Sequence, residues 1–423
     1  MTTDTALVCP SVRYTLGPAR AVFPMHRVST PTPSQFPTTV CELGVPLGAF
    51  DAVLVQSTVQ AAVVHPANRQ LPLPHWTGTT RPRTIGVIGD TGCRVTTAGP
   101  NQDCADHQTG WPFPRIANSA AMRHPDLVIH VGDYLYRDDP GQATDTAANP
   151  GCTTPADRFS WACVVADFFR PAESLLAVAP VALTRGNHED CRTPPATGGA
   201  GAAWFRYLAD DLRADGSCDQ YTDPVEIRAG ALHLLSVDSS FADPADSGSL
   251  AQQAIYTQQF EAVNRAAGQH PGTDHFLFTH KPLWMVRSAG PPPRWVTPVL
   301  DRAVAGTTLG RPANNIRTVL SGHVHLYQMI DFNTTRPPQV TVGFSGGDPL
   351  DQGPNDADVI GKPVGTPTQP VNHSVTQGRV FGYAILNRNN GTWDLTSHDP
   401  TGTVRGQTCT LSVSTAQKQF TCH

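Results

Sequence analysis

The sequence predicts an α/β protein, a four-layer α/β/β/α sandwich of two mixed β-sheets flanked by helices, with a small β-rich segment at its N-terminus. Three observations carry this. Between residues 84 and 325 short apolar runs alternate with helical stretches, the pattern of βαβ units and a largely parallel sheet. After 325 the helical pattern stops and strand-like segments follow one another, so a second sheet closes the fold. The first 80 residues are rich in Pro and Thr and resemble neither part.

Taken in order, 38–46 and 51–64 read as strands, the second dense in β-branched residues. Residues 1–80 are thus a β-rich N-terminal segment, either a small domain or a wrap around the core; so short a piece buries little surface alone, which favours the wrap. The main domain spans 81–423. It opens with strand 84–90, helix 113–123 and strand 126–132. A Pro-, Gly- and Thr-rich loop, 138–158, leads to helix 160–178, strand 180–185 and helix 202–213. Strand 231–238, helix 250–267, strand 275–280, helix 296–305 and strand 317–322 complete the alternation. Segments 339–345, 380–388, 392–398 and 403–413 read as strands, and 346–378, dense in Gly, Pro and Asp, as a loop near the site.

A net charge of −5 with no long basic stretch argues against a nucleic-acid-binding surface, which needs clustered cations. No apolar run reaches the length of a membrane span. The ten cysteines include no C-x-x-C pair, which argues against a cysteine-held zinc. They fall as sequence neighbours: Cys9 and Cys41, Cys93 and Cys104, Cys152 and Cys163, Cys191 and Cys218, Cys409 and Cys422. Pairing in that order would staple five loops, although spacing alone fixes no connectivity. Disulfides imply an oxidising compartment. The N-terminus, Met-Thr-Thr-Asp-Thr-Ala, has neither a basic nor an apolar leader region, so the expectation is a secreted or periplasmic protein whose signal peptide has been removed.

Five short blocks each follow a predicted strand: Gly89-Asp90-Thr91-Gly92, Gly132-Asp133-Tyr134-Leu135-Tyr136, Gly186-Asn187-His188-Glu189, Thr279-His280-Lys281-Pro282 and Gly322-His323-Val324-His325. Any one of them is an ordinary turn or a packed histidine. Together they place Asp, Asp with Tyr, Asn with His, His, and a His pair at the carboxyl ends of five strands, where ligands gather in open α/β sheets. Such a donor set points to a shared metal site. His130 and His233, inside strands, read as packing residues that found a partner, and Asp238, at a strand end, as structural.

The five blocks resemble the calcineurin-like metallophosphoesterases. More narrowly they resemble the purple acid phosphatase pattern G-D-x-G, G-D-x-x-Y, G-N-H-[DE], x-x-x-H and G-H-x-H. Most of the superfamily carries D-x-H in the first block; here that His position is Gly92, and Tyr136 is gained in the second. The resemblance implies that Asp90, Tyr136 and His325 hold Fe(III), a hard ion suited to a phenolate. It implies that Asn187, His280 and His323 hold a divalent Zn, Fe or Mn, and that Asp133 bridges the two. Two metals roughly 3.5–4 Å apart clamp a phosphoryl group and generate hydroxide, which attacks phosphorus in line with the leaving oxygen. The implied reaction is hydrolysis of small phosphate monoesters with an acidic optimum. His188 is the candidate general acid, with Glu189 or Asp190 to orient it. The stretch 283–295 lacks the further substrate-contacting His residues of plant purple acid phosphatases, so Arg287 and Arg294 become the candidate phosphate contacts. A phosphodiesterase or nucleotide-processing enzyme with the same core is the alternative reading, and a non-catalytic binding protein on this fold a more distant one. The absence of a G-x-S-x-G motif argues against a serine ester hydrolase.

Overall fold

The computed structural model describes residues 9–32, 35–56, 70–97, 99–138, 147–154, 158–192, 199–242, 249–287, 297–412 and 417–423. The C-terminal half of the expected strand 51–64 and Arg294 lie outside the described residues.

The N-terminal segment contains β1 (Ser11–Leu16), β2 (Ala19–Pro24), β3 (His26–Ser29), β4 (Val40–Glu42) and β5 (Phe50–Gln56). The order β2-β1-β5 makes one small sheet, and β3 pairs with β4. Val12, Tyr14, Ala49 and Ala52 form a small core of their own.

The main body begins with β6 (Thr84–Ile88), α1 (Phe113–Ala121) and β7 (Leu127–His130). Then come α2 (Trp161–Val164), a π-turn at Val165–Phe169, α3 (Glu173–Leu176), β8 (Val181–Leu183) and α4 (Gly201–Tyr207). The second half contains β9 (Val225–Ala229), β10 (Leu232–Val237), α5 (Leu250–Gln269), β11 (Asp274–Thr279), α6 (Pro298–Ala305), β12 (Ile316–Ser321), β13 (Tyr327–Asp331) and β14 (Gln339–Val342). A short α7 (Asp356–Val359) and the two-residue strands β15 (Pro363–Val364) and β16 (Gln369–Pro370) precede β17 (His373–Gln377), β18 (Tyr383–Asn389), β19 (Thr392–His398), β20 (Val404–Leu411) and β21 (Phe420–Cys422).

Two seven-stranded sheets result, one in the order β17-β13-β14-β12-β11-β10-β9, the other β21-β20-β19-β18-β6-β7-β8. Each is mixed: β6, β7 and β8 run parallel, as do β10, β11, β12 and β14, while β18 pairs antiparallel with β6. Period-two alternation distributes the side chains. Ile85, Val87, Leu127 and Ile129 of one sheet meet Leu234, Phe276, Phe278 and Leu320 of the other in a central core. On the outer faces, Ile88 and Val128 pack under α1 and α4, and Leu235, Val237 and Leu277 under α5 and α6. This is the expected four-layer sandwich.

The structure differs from the sequence reading in how the strands are shared out. The alternating region is split between the sheets, and 339–342 joins the parallel strands β10, β11 and β12 by pairing with β12, whereas the C-terminal meander extends the sheet of β6, β7 and β8. The expected helix 160–178 is broken, because Pro171 supplies no amide to continue it. Residues 373–377, read as loop, form an edge strand against β13.

Candidate metal centre

All five blocks lie beyond strand ends at one edge of the sandwich. Those at Asp90, Asp133 and Asn187 follow β6, β7 and β8, and those at His280 and His323 follow β11 and β12, so both sheets contribute. Asp90, Asp133 and His323 have left-handed backbones, with φ of 56°, 60° and 72°. Such conformations cost about 1–3 kcal/mol each for side-chain-bearing residues and cluster at functional sites. The backbone comes very close here. A Cβ at Gly186 would lie 2.0 Å from Asp133 Oδ1, and one at Gly92 would lie 2.6 Å from Cδ2 of Tyr136. Gly92 thus leaves the room that the Tyr136 ring fills.

The side chains form two adjoining groups. The hydroxyl of Tyr136 lies 2.9 Å from Asp90 Oδ1, 2.8 Å from Asp133 Oδ2 and 2.9 Å from His325 Nε2. His325 Nδ1 is held by the Pro349 carbonyl at 3.2 Å, which presents Nε2 to the group. In the second group, His280 Nε2 lies 3.0 Å from Asn187 Oδ1 and 3.2 Å from Asp133 Oδ2, while its Nδ1 faces the Val131 carbonyl at 2.9 Å. Asp133, His280 and His323 offer donor atoms within 4.8 Å of one another. Asp133 belongs to both groups. Burial opposes its ionisation, but His280 and His188 outweigh burial and hold the carboxyl well below its usual range.

His188 lines the cleft above these groups, its ring 4.1 Å from that of Tyr136. Its carboxylate partner is Asp138, at 3.3 Å from Nδ1. Neither expected partner plays that part. Glu189 is fully buried and accepts from the amides of Tyr134, Leu135 and Gly186 at 2.9, 2.9 and 3.1 Å, tying two ligand-bearing loops together. Asp190 is bound to Arg192. Arg287 is largely exposed and pairs with Asp351 at 2.8 Å, so it does not reach the cleft. Among the described residues, the arginine that does is Arg94, absent from the sequence reading, with Nη1 3.3 Å from the Asp348 carbonyl. Its position beside Cys93, just after the first block, is the signal that could have found it.

The cleft has a volume of about 210 Å³ and is lined by Asp133, Tyr136, Asp138, Asn187, His188, His323 and His325, with Arg94, Thr96 and Asp348 at its wall. A larger cavity of about 780 Å³ lies elsewhere, between the edges of β8 and β9. It holds none of the convergent donors, so the chemistry belongs to the smaller cleft. His130 is buried against Tyr134 and bonded to the Thr91 hydroxyl, and Asp238 pairs with Arg185; both are structural. The ten cysteines form five disulfides, each between sequence neighbours.

The calcineurin-like phosphoesterase family profile matches residues 83–327, more than half of the chain and the whole span of the five blocks. The chain belongs to this family. Among solved structures, a purple acid phosphatase from yellow lupin (Lupinus luteus) seeds is similar at a TM-score of 0.55 and 12% identity, covering 96% of this chain and 70% of its own. PhoD is similar at a TM-score of 0.52 and 12% identity, over 83% and 73%. A search of curated protein sequences finds no match. Membership of the calcineurin-like phosphoesterases supports metal-dependent phosphoester hydrolysis, and the family fold implies a dinuclear metal centre. The residues fit one: two groups of oxygen and imidazole donors share one ionised carboxylate, and glycines leave the space around them.

Proposed function

We propose that this phosphoesterase hydrolyses small phosphate monoesters in the manner of purple acid phosphatases, outside the cytoplasm. Asp90, Tyr136 and His325 would hold Fe(III), Asn187, His280 and His323 a divalent Zn, Fe or Mn, and Asp133 both. The observation that carries the reading is the Tyr136 hydroxyl, set within 2.9 Å of a side-chain atom of each of Asp90, Asp133 and His325. Burial, with the Asp133 and Asp90 carboxylates, pushes this phenol well above its usual range. A cation of high charge seated among these oxygens would make it a phenolate ligand, and hard anionic oxygen donors suit Fe(III). When bound, the two ions would polarise the phosphoryl oxygens and supply hydroxide at acidic to neutral pH.

The protein's own side chains complete the site. Arg94 stands at the cleft wall, where its guanidinium can take two phosphate oxygens. His188 supplies a proton to the leaving oxygen. Burial disfavours its charged form, but Asp138 and Asp133 outweigh burial and push it up to about 10, so it holds a proton to give. The five disulfides support an oxidising, extracellular location.

The test is the visible spectrum of the oxidised protein alongside its rates on a monoester and a diester. A purple to pink band that disappears in Tyr136→Phe, with the monoester preferred at acidic pH, is the expected result. A colourless protein containing Zn or Mn and little iron, or one that prefers the diester, overturns the proposal.

A further inference from the structure

His233 read as a packing residue in the sequence. The structure sets it among three other metal-ligating side chains. His233 and His275 are direct partners in the parallel register of β10 and β11, and Glu226 comes from the neighbouring edge strand β9. His270 follows the last turn of α5. The His233 ring lies 4.8 Å from that of His270 and 5.1 Å from that of His275. Glu226 Oε1 lies 2.7 Å from His233 Nδ1 and 4.0 Å from His270 Nε2.

We propose that Glu226, His233, His270 and His275 form a second metal site, for one structural zinc ion, at the opposite end of the sheet from the dinuclear centre. Donor atoms of Glu226, His233 and His275 all lie within 4.8 Å of one another. A tetrahedral zinc with bonds of about 2.0–2.1 Å needs neighbouring donors about 3.4 Å apart, so small side-chain shifts would bring these three to that spacing, with His270 the nearest fourth donor. Three imidazoles and one carboxylate make a closed, four-coordinate zinc shell with no position left for substrate.

His275 supplies an independent observation. It is fully buried, and its Nε2 has no hydrogen-bond partner. Its Nδ1 lies 2.9 Å from the Thr273 carbonyl and 3.1 Å from the Asn315 amide nitrogen. The carbonyl contact is the shorter, and a carbonyl can only accept, so Nδ1 carries the proton and Nε2 is the bare, ligating nitrogen. A buried nitrogen without a partner is costly in a hydrogen-bonded packing cluster, and a metal bond removes that cost. His275 precedes His280 by five residues along one strand, so the two sites are about 16 Å apart. A zinc here would clamp β9 and the end of α5 to the centre of the sheet.

Zinc titration of the chelator-stripped protein against a chromophoric competitor tests this. Three proteins are compared: wild type, His233→Gln/His275→Gln, and Asp133→Asn/His280→Gln. The first variant is expected to bind one equivalent fewer than wild type and to keep its phosphatase activity after reloading. The second is expected to lose activity yet keep one tight equivalent. Undiminished zinc uptake by a natively folded His233→Gln/His275→Gln protein overturns the distal site. If that variant does not fold, His270→Gln decides: this half-buried residue leaves the core intact, and one equivalent should bind at least about 10-fold more weakly. Unchanged affinity in His270→Gln overturns the site as well. Failure of the dinuclear reading appears separately, as full zinc uptake by Asp133→Asn/His280→Gln.

Discussion

If His188 is the proton donor proposed above, the carboxylate that faces its ring decides how it is held. Next to it in sequence stand Glu189 and Asp190, and adjacency makes them the natural candidates to orient it. Both are engaged elsewhere, Glu189 with three backbone amides and Asp190 with Arg192. The acid that faces the imidazole is Asp138, two residues beyond Tyr136 and brought in by the turn after β7. In Asp138→Asn the ring would lose the charge that keeps it protonated and the contact that fixes its plane. Outer partners of this kind contribute about 10–100-fold to activity. We expect kcat to fall by about that factor, with metal content and KM near wild type. Steady-state kinetics beside elemental analysis checks this, and an unchanged kcat would remove Asp138 from the reaction.

At the scale of elements, the five strand–turn blocks were legible because each joins a short, largely apolar run to a polar turn, two local signals that coincide. The helices α1, α5 and α6 were legible for similar reasons. Pro114 and Pro298 sit at the first turns of α1 and α6, and the Ser249 hydroxyl caps α5 through the Gln252 amide at 3.1 Å. What escaped the sequence depends on distant partners. Strands β9, β13 and β17 are short and partly polar and become strands through the neighbours they pair with. Arg94 likewise reaches the cleft only because its loop is folded back, with Cys93 bonded to Cys104 and Gln102 accepting from the Arg94 amide at 2.8 Å. Removing this crosslink in Cys93→Ser/Cys104→Ser frees a loop closed at a sequence separation of 11. Chain entropy then predicts a loss of about 3 kcal/mol. If Arg94 contacts the phosphate, KM for a phosphate monoester should also rise severalfold, with a smaller change in kcat. Denaturant melts and steady-state kinetics read the two effects separately, and an unchanged KM would argue against Arg94 as a substrate contact.

The whole molecule is held together across its layers by contacts that no single element contains. We propose that residues 1–80 act as a strap: Phe36 packs into the cluster under α1 and α4, Trp76 into the core between the sheets, and Arg206 of α4 donates to the carbonyls of Thr30 and Thr38. At the opposite terminus Lys418 does related work at a cost. Its amide bonds to the Thr334 carbonyl at 2.8 Å and its ammonium reaches the Ala313 carbonyl at 3.4 Å, joining the last hairpin of one sheet to loops of the other. The side chain is fully buried. Burial first, then Arg317 and Arg311, lowers its pKa from 10.5 to about 7. Below pH 7 the lysine is charged in both states, and the folded protein bears the whole cost of burying that charge. Between pH 7 and 10.5 the unfolded chain binds the proton that the folded one has released, so the contribution of Lys418 to stability rises with pH across this window. Lys418→Met removes the titration. At about 1.4 kcal/mol per unit, discounted for relaxation around the charge, the variant should be more stable than wild type at pH 6 by on the order of 3 kcal/mol. That advantage should shrink steadily towards pH 9. Denaturant unfolding of both proteins from pH 6 to pH 9 measures the gap, and two curves that stay parallel would show that Lys418 keeps an ordinary pKa in the folded protein.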